Sequence, residues 1–449
     1  MKIASVVLAA GMGTRMKSRL PKMMHPLLGK PIVAHALSAV MGASDLPPVV
    51  VLGHGSDLVR QYISEEFDGK VQFALQAEQL GTGHAVMSAE ELLAGKAELV
   101  LVTFADMPLI RKETISNLVK FHQENDNVLT MTSVVGDVPR GFGRVLRDED
   151  GKLSGIVEEA DANPEQLKVN EYNVSVWCFQ ANWLWKNLKM LKTSPKGEYY
   201  LTDLVAMALE QGEKADALVL DDPNEGLGIN TRVDLADCER ALRKSVIRNW
   251  MLEGVSFLDP DSCTVEFDVK IGQDTVILPN THLRGKTMIG ENCQIGPDST
   301  LLDTKVGNDC TIKNSVAEYA EIGNHVEMGP FCHLRKGAVL NDGVHLGNFA
   351  EVKDSVLDEG TKMGHFSYIG NAKIGKNVNI GAGTITCNYD GKHKHLTEIG
   401  DDTFIGSDTM LVAPLKIGKN AKTGAGSVVT KDVPDNTLVY GVPAHKKEG

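Results

Sequence analysis

Two rhythms of apolar and polar residues divide this chain. Up to about residue 230, short apolar runs at 3–8, 49–52, 71–75, 99–104 and 130–135 alternate with segments 32–40 and 114–121, where apolar side chains recur at helical spacing. Short apolar runs bounded by Gly, Pro or Asp predict buried strands, and the spaced segments predict helices laid over them. The alternation predicts an α/β domain with a Rossmann-like, mostly parallel sheet. Ligands on such sheets bind outside the carboxyl ends of the strands.

After Gly254 the rhythm changes. Aliphatic residues recur every six positions at Ile271, Ile277, Leu283, Ile289, Ile295 and Leu301, then at Ile322, Met328, Leu334, Leu340, Leu346 and Val352, and again at Ile399, Ile405, Leu411 and Ile417. Six matches neither a helix nor a simple strand. It is the period of the hexapeptide parallel β-helix, in which three short strands make one triangular coil and each coil rests on its neighbours. The stretch GAGTITCNYDGKHKHLTE between Ile380 and Ile399 interrupts it, with a gap of nineteen where eighteen would keep phase. Such a polar excursion is either a binding loop or a harmless insertion.

Between the two rhythms, residues 231–253 read as one helix: Thr231 with Asp234 resembles a capping box, Leu235, Cys238, Leu242, Val246 and Trp250 form a stripe, and Gly254 stops it. It is either a rigid arm between domains or the last helix of the first domain. The expected division is 1–230, a helix at 231–254, and 255–449.

Composition narrows the classes. At 449 residues the chain exceeds one ordinary core, and 42% hydrophobic with 23% charged residues fits a soluble globular protein. The net charge of −13 argues against a general nucleic-acid binder, while leaving local basic clusters for small anions. Cys178, Cys238, Cys263, Cys293, Cys310, Cys332 and Cys387 show no CxxC pair, which suits thiols in a reducing cytosol better than a zinc site. Residues 3–10 loosely imitate an export signal, but the apolar core is short and Arg15, Lys17, Arg19 and Lys22 follow at once. No run approaches the roughly 20 apolar residues of a membrane helix. A cytoplasmic protein without membrane or nucleic-acid partners is expected.

The phrase LAAGMGTRMKSRLPK, residues 8–22, sets Gly11 and Gly13 directly after a strand and follows them with Arg15 and Lys22. Glycines let backbone N–H groups approach phosphate oxygens, and a guanidinium and an ammonium offset a triphosphate's charge. The phrase resembles the signature of the sugar-1-phosphate nucleotidyltransferases. LQAEQLGTGHA from Leu75, GFGRV from Gly141, GIVEE from Gly155 and GEYYLTDL from Gly197 narrow the match. With the hexapeptide half attached, the whole chain resembles the bacterial bifunctional family of N-acetylglucosamine-1-phosphate uridyltransferase/glucosamine-1-phosphate N-acetyltransferases.

That resemblance implies nucleotide contacts at Leu8, Ala9, Ala10, Gly11, Gly13, Lys22, Gln76, Gly81 and Thr82, with Arg15 and Lys22 catalytic and uracil held by Gln76 and the GTG turn. It implies sugar contacts at Gly143, Glu158 and Asn173, and Mg²⁺ on Asp106 and Asn230. Taken alone, Asp106 would read as a turn carboxylate; its place in the motif makes it a ligand candidate. The implied reaction is attack of N-acetylglucosamine-1-phosphate on the α-phosphorus of UTP with loss of pyrophosphate. Three features depart from the family pattern: Phe104-Ala105 before the metal Asp, Val174-Ser175 after the sugar-contacting Asn, and the missing lysine in VEEADA.

For the second half, a ring base with a pKa near 6.5 suits an amine that must lose a proton as it attacks a thioester. The resemblance makes His365 that base, for acetyl transfer from acetyl-CoA to glucosamine-1-phosphate. It puts sugar-phosphate contacts at Arg335, Lys353, Tyr368 and Asn379, and the substrate-proximal pair and acetyl-CoA lining at Asn388, Tyr389, Ala382, Ser407 and Ala425. Lys394 joins them by loop chemistry alone. The family's β-helix is left-handed and its assembly a homotrimer; its product, UDP-N-acetylglucosamine, is a peptidoglycan and lipopolysaccharide precursor. Three other readings stand beside this one: a nucleotidyltransferase with a regulatory β-helix, an acetyltransferase with an impaired first domain, and a purely structural scaffold.

Overall fold

The computed structural model describes residues 1–53, 55–136 and 142–447, with the backbone alone for Ala160 and Ser175. It divides into two compact units, Met1–Leu242 and Arg243–Gly449.

The first unit is built on β1 (Ile3–Leu8), β2 (Val49–Leu52), β3 (Gln72–Leu75), β4 (Leu99–Phe104), β5 (Leu129–Val135), β6 (Arg144–Arg147), β7 (Leu153–Val157), β8 (Glu171–Gln180) and β9 (Ala215–Val219). The strands lie in the order β9-β5-β8-β4-β1-β2-β3, and the β6–β7 hairpin joins at β8. Pairing along this path is parallel except at β8, which runs antiparallel to both β4 and β5. Both faces are covered, as a mostly parallel sheet requires. Val7 packs with Leu37 of α1 (Ile32–Met41) and Ile115 and Leu118 of α3 (Lys112–Glu124), the shorter α2 being Thr82–Met87; Val6 and Leu8 join the opposite core with Val86 and Trp177. Burial on both sides is why β1 reads as an unbroken apolar run.

The second unit is a parallel β-helix whose described strands form three sheets of twelve, ten and nine. Every aliphatic residue of the six-residue series is buried in one continuous core. The series slips where a side of the coil is one residue shorter: Val306, Ala317 and Ile322 share that core at shorter spacing. Buried Thr hydroxyls link the coils; Thr275, Thr361 and Thr403 donate to the carbonyls of Gly290, Gly375 and Gly418 at 2.8–2.9 Å. Asn and Asp residues with left-handed backbone mark the turns, among them Asp274, Asn280, Asn292 and Asp309. These side chains tolerate that conformation better than most.

The excursion is larger than its spacing suggests. Ile380 belongs to the twelve-stranded sheet and Ile399 to the nine-stranded one, so the nineteen positions between them cover two sides of a coil, not a full turn. Two sides elsewhere take twelve, as from Ile277 to Ile289. The seven surplus positions lie within the segment 388–396.

The helix α4 (Arg232–Leu252) contributes to both cores: Leu235, Cys238 and Leu242 pack in the first unit, and Val246, Ile247 and Trp250 in the second. Its start is capped as expected, with the Asp234 carboxylate accepting from the backbone N–H groups of Asn230 and Thr231 at 3.0 and 2.8 Å.

Candidate functional site

The carboxyl ends of β1, β3 and β4 open on a cleft of about 290 Å³, lined by Leu8, Ala10, Gly11, Lys22, Gln76, Gly81, Thr82 and Asp106 among others. Ala9 is buried beside it, its N–H bonded to the Val51 carbonyl at 2.9 Å. Gly13 has φ +62°, and a Cβ there would lie 2.5 Å from Lys22 Cβ. The glycine therefore lets the turn close over the lysine stem.

Four residues from opposite ends of the unit meet here. Lys22 Nζ donates to Asp106 Oδ2 at 2.5 Å and to Asn230 Oδ1 at 3.1 Å, and Arg15 Nη2 donates to the same Asn230 oxygen at 2.9 Å. Lys22 is 7% exposed and Asp106 23%, so this pair is largely withdrawn from water. Asn230 is held by the α4 cap and by the Ile229 N–H, which donates to the Asp106 carbonyl at 2.9 Å. Behind it, buried Glu225 accepts from Arg111 N, Nε and Nη2 and from Thr114 Oγ1, which ties the segment before Asn230 to the start of α3.

The opposite wall is the GTG turn. Gln76 is buried and bonds to the Gly81 carbonyl and to His84. A Cβ on Gly81 would sit 2.6 Å from the Tyr199 carbonyl, so the turn lies directly against the 197–204 segment. Thr82 Oγ1 accepts from Leu201 N at 2.9 Å, and the Thr202 hydroxyl donates to Glu158 at 3.0 Å. Burial pushes the Glu158 carboxyl above its ordinary pKa, against the lowering effect of that hydrogen bond. Asn173 N donates to the Gly143 carbonyl at 2.9 Å, so these two expected sugar contacts adjoin; Gly141 lies outside the described residues.

Two positions escaped the sequence reading. Gln79 lines the cleft and donates to the Ala10 carbonyl at 2.7 Å, and Tyr200 lines it from the 197–204 segment. Of the departures, Phe104 lines the cleft, whereas Ala105 and Val174 are fully buried in the core. Glu159 of VEEADA pairs with buried Arg144 at 2.7 Å. The Ser175 side chain is outside the described residues.

In the β-helix, His365, Ala382, Ser407 and Ala425 occupy one corner in four successive coils, each between a strand of the twelve-stranded sheet and the next of the ten-stranded sheet. Hydrogen bonds climb that corner from Gly383 N to Phe366 O, Asp408 N to Ala382 O and Gly426 N to Ser407 O at 2.6–2.8 Å. At the other edge of the ten-stranded sheet stand Arg335, Lys353 and Asn388, with Tyr368 on the sheet between. The neighbouring Lys394, with Arg335 behind it, holds the Lys353 ammonium below its usual pKa. Three cations so placed invite an anion.

Asn388 is turned inward, donating to Asn371 Oδ1 at 2.7 Å, and exposed Tyr389 bonds to the Gly391 carbonyl. Asn379 lies on the twelve-stranded sheet and is not gathered with the cations. Within the excursion, Asp390 accepts from the N–H groups of Lys392 and His393 and from the His395 ring, all at 2.7 Å, which holds its carboxyl well below the usual range.

A glycine-turned, lysine-lined cleft on an α/β sheet and a cation cluster on a β-helix suit a two-site transferase: a nucleotidyltransferase joined to a hexapeptide-repeat acyltransferase. The chain matches the nucleotidyl transferase family model over residues 4–250 and the bacterial transferase hexapeptide (six repeats) model over 268–302 and 396–431. It is 44% identical over 450 residues to the bifunctional protein GlmU of Pelobacter propionicus, covering 100% of this chain and 97% of that one. It is 45% identical over 438 residues to those of Heliobacterium modesticaldum and Streptococcus agalactiae serotype V, covering 97% of this chain and 95% of each. A solved structure of UDP-glucose pyrophosphorylase complexed with UDP-glucose covers 55% of this chain and 100% of its own, at 18% identity and a TM-score of 0.44.

The chain belongs to the bifunctional GlmU family. It is an enzyme that makes UDP-N-acetylglucosamine by an acetyl transfer and a uridylyl transfer. Among the described residues no helix is long and apolar enough to cross a membrane.

Proposed function

We propose that the cleft of the first unit carries the uridylyl transfer and the corner of the β-helix the acetyl transfer, with functional domains at 1–230 and 255–449 and the helix 231–254 between them. The observation that carries the first assignment is the convergence of Arg15, Lys22, Asp106 and Asn230 at the cleft. Uracil sits against Gln76 and the Gly81–Thr82 turn, and the triphosphate lies over Gly11 and Gly13 within reach of Arg15 and Lys22. The sugar phosphate enters from the Gly143, Glu158 and Asn173 side. Its phosphate oxygen attacks the α-phosphorus in line, the bond to the β-phosphate breaks, and pyrophosphate leaves. Positioning and charge neutralisation supply the catalysis, so no protein nucleophile is needed.

The oxygen pair Asp106–Asn230 fits Mg²⁺, because one ammonium already touches both atoms and a small, hard cation prefers such ligands. Asp106 and Asn230 would hold the ion, which supplies charge compensation for the phosphates. Lys22 lines the same cleft and can turn its ammonium to phosphate oxygens.

In the β-helix, His365 takes the proton from the amino group of glucosamine-1-phosphate as the nitrogen attacks the thioester of acetyl-CoA. The new C–N bond forms, the C–S bond breaks, and CoA leaves as the thiol once protonated. Arg335, Lys353 and Lys394 hold the sugar phosphate, with Tyr368 beside them. The small side chains of Ala382 and Ala425, with Ser407 between, leave a track for acetyl-CoA, and Asn388 and Tyr389 border it. The protein acts in the cytoplasm as a homotrimer, acetyl transfer preceding uridylyl transfer.

Pyrophosphate release with UTP and N-acetylglucosamine-1-phosphate, and free CoA release with glucosamine-1-phosphate, test the two assignments. Asp106→Ala is expected to lose the first reaction alone, and His365→Ala the second alone. Near-normal acetyl transfer by His365→Ala would remove it as the base.

A further inference from the structure

We infer that His84 sets the base preference of the cleft by fixing which end of the Gln76 amide meets the nucleobase; this rests on the reading of Gln76 as the uracil contact. Gln76 Nε2 stands 3.0 Å from the Gly81 carbonyl oxygen and 3.2 Å from His84 Nδ1. A carbonyl oxygen only accepts, so the atom facing Gly81 is the amide NH₂. The second hydrogen of that NH₂ goes to His84 Nδ1, which is therefore the unprotonated ring nitrogen, with the ring proton on Nε2.

Both amide hydrogens are thus used inside the protein, and the carbonyl Oε1 is left to meet a base. Uracil offers an N3–H to that oxygen. Cytosine offers an unprotonated N3, so acceptor would face acceptor, an unfavourable desolvated pairing. The histidine gives the preference its rigidity because its own ring is fixed. It sits in α2 and stacks on the Tyr199 ring, with centroids 6.3 Å apart and planes 28° from parallel. Tyr199 is fixed in turn by its backbone, which donates to the Leu80 carbonyl at 2.7 Å and accepts from Gly83 N at 2.8 Å. His84 is a positioning residue: it reaches the base only through Gln76.

The test compares kcat/KM for UTP and CTP in the full-length enzyme, with N-acetylglucosamine-1-phosphate as acceptor and pyrophosphate release as readout. His84→Phe keeps a ring to stack but offers no acceptor, and is expected to lower the UTP-to-CTP ratio about three- to tenfold. His84→Asn carries an oxygen near the place of Nδ1 and is expected to stay within about twofold of wild type. The KM for the sugar phosphate should not move in either, which separates an amide reorientation from a collapsed cleft. Gln76→Ala is expected to lower the ratio at least as far as His84→Phe. A wild-type ratio in His84→Phe beside a lowered one in Gln76→Ala would overturn the role of His84. A wild-type ratio in Gln76→Ala would instead remove Gln76 as the base contact, and the inference with it.

Discussion

The cleft and the β-helix corner assemble chemistry by opposite means. In the cleft, Arg15 and Asn230 are 215 positions apart in sequence and touch at 2.9 Å, because strand order and a helix cap bring both to one rim of a sheet. In the β-helix, His365, Ala382, Ser407 and Ala425 are neighbours because the coil returns each to the same corner. A tertiary site depends on the whole domain around it. A solenoid site depends on a few adjacent coils, since repeats of this kind are stabilised chiefly by their neighbours.

The widest separation between the two should come from crossed variants. His365→Ala is expected to lower acetyl transfer about 10²–10⁴-fold and to leave pyrophosphate release at wild-type rate, with Asp106→Ala showing the reverse. Parallel assays of CoA and pyrophosphate would break the comparison if either variant lost both.

Core truncation asks how local each stability is. Leu334 is fully buried in the β-helix core, and Leu334→Ala should cost about 2–5 kcal/mol there. Calorimetry should show the transition of the β-helix falling while the melting that abolishes pyrophosphate release stays in place.

Acid should distinguish the units as well. Burial holds the His122 imidazole at about 4, below its usual 6.5, whereas none of the described β-helix histidines is buried. The unfolded chain takes up a proton at His122 below about pH 6.5 that the folded domain refuses until about pH 4. The first unit's stability from this group is therefore full above that window and declines as pH falls through it, by about 3 kcal/mol. His122→Gln should flatten the pH dependence of its melting temperature.

A smaller effect than these is expected at the turn beneath Lys22. Gly13→Ala puts a side chain at φ +62° and against Lys22 Cβ, which should raise the KM for UTP about tenfold, from a strain of about 1–2 kcal/mol. Acetyl transfer should not change.

The same contrast governs what the sequence disclosed. Strands β1, β2 and β4 coincide with the apolar runs, and β3 and β5 lie within a residue of them. The antiparallel β8 was not legible, because residues 171–174 and 176–179 are buried on both sides and carry no alternation to mark them. In the β-helix the six-residue period was plain, but coils shortened at Val306 and Ile322 were not, since a lost corner residue leaves no apolar signature. Arg15 and Lys22 could be read from one local phrase. Gln79 could not, because its partner is a backbone carbonyl 69 positions away. Arg335 and Lys353 are one coil apart and share a phase, whereas the excursion takes Lys394 out of phase with both.

We propose two complete sites in separate units of one chain. The most direct test of this is UDP-N-acetylglucosamine synthesis from glucosamine-1-phosphate, acetyl-CoA and UTP, with Asp106→Ala and His365→Ala assayed alone and mixed. No product is expected from either variant alone, and restored synthesis from the mixture, as one supplies the acetylated sugar phosphate that the other consumes. Product from either variant alone, or none from the mixture, would contradict it.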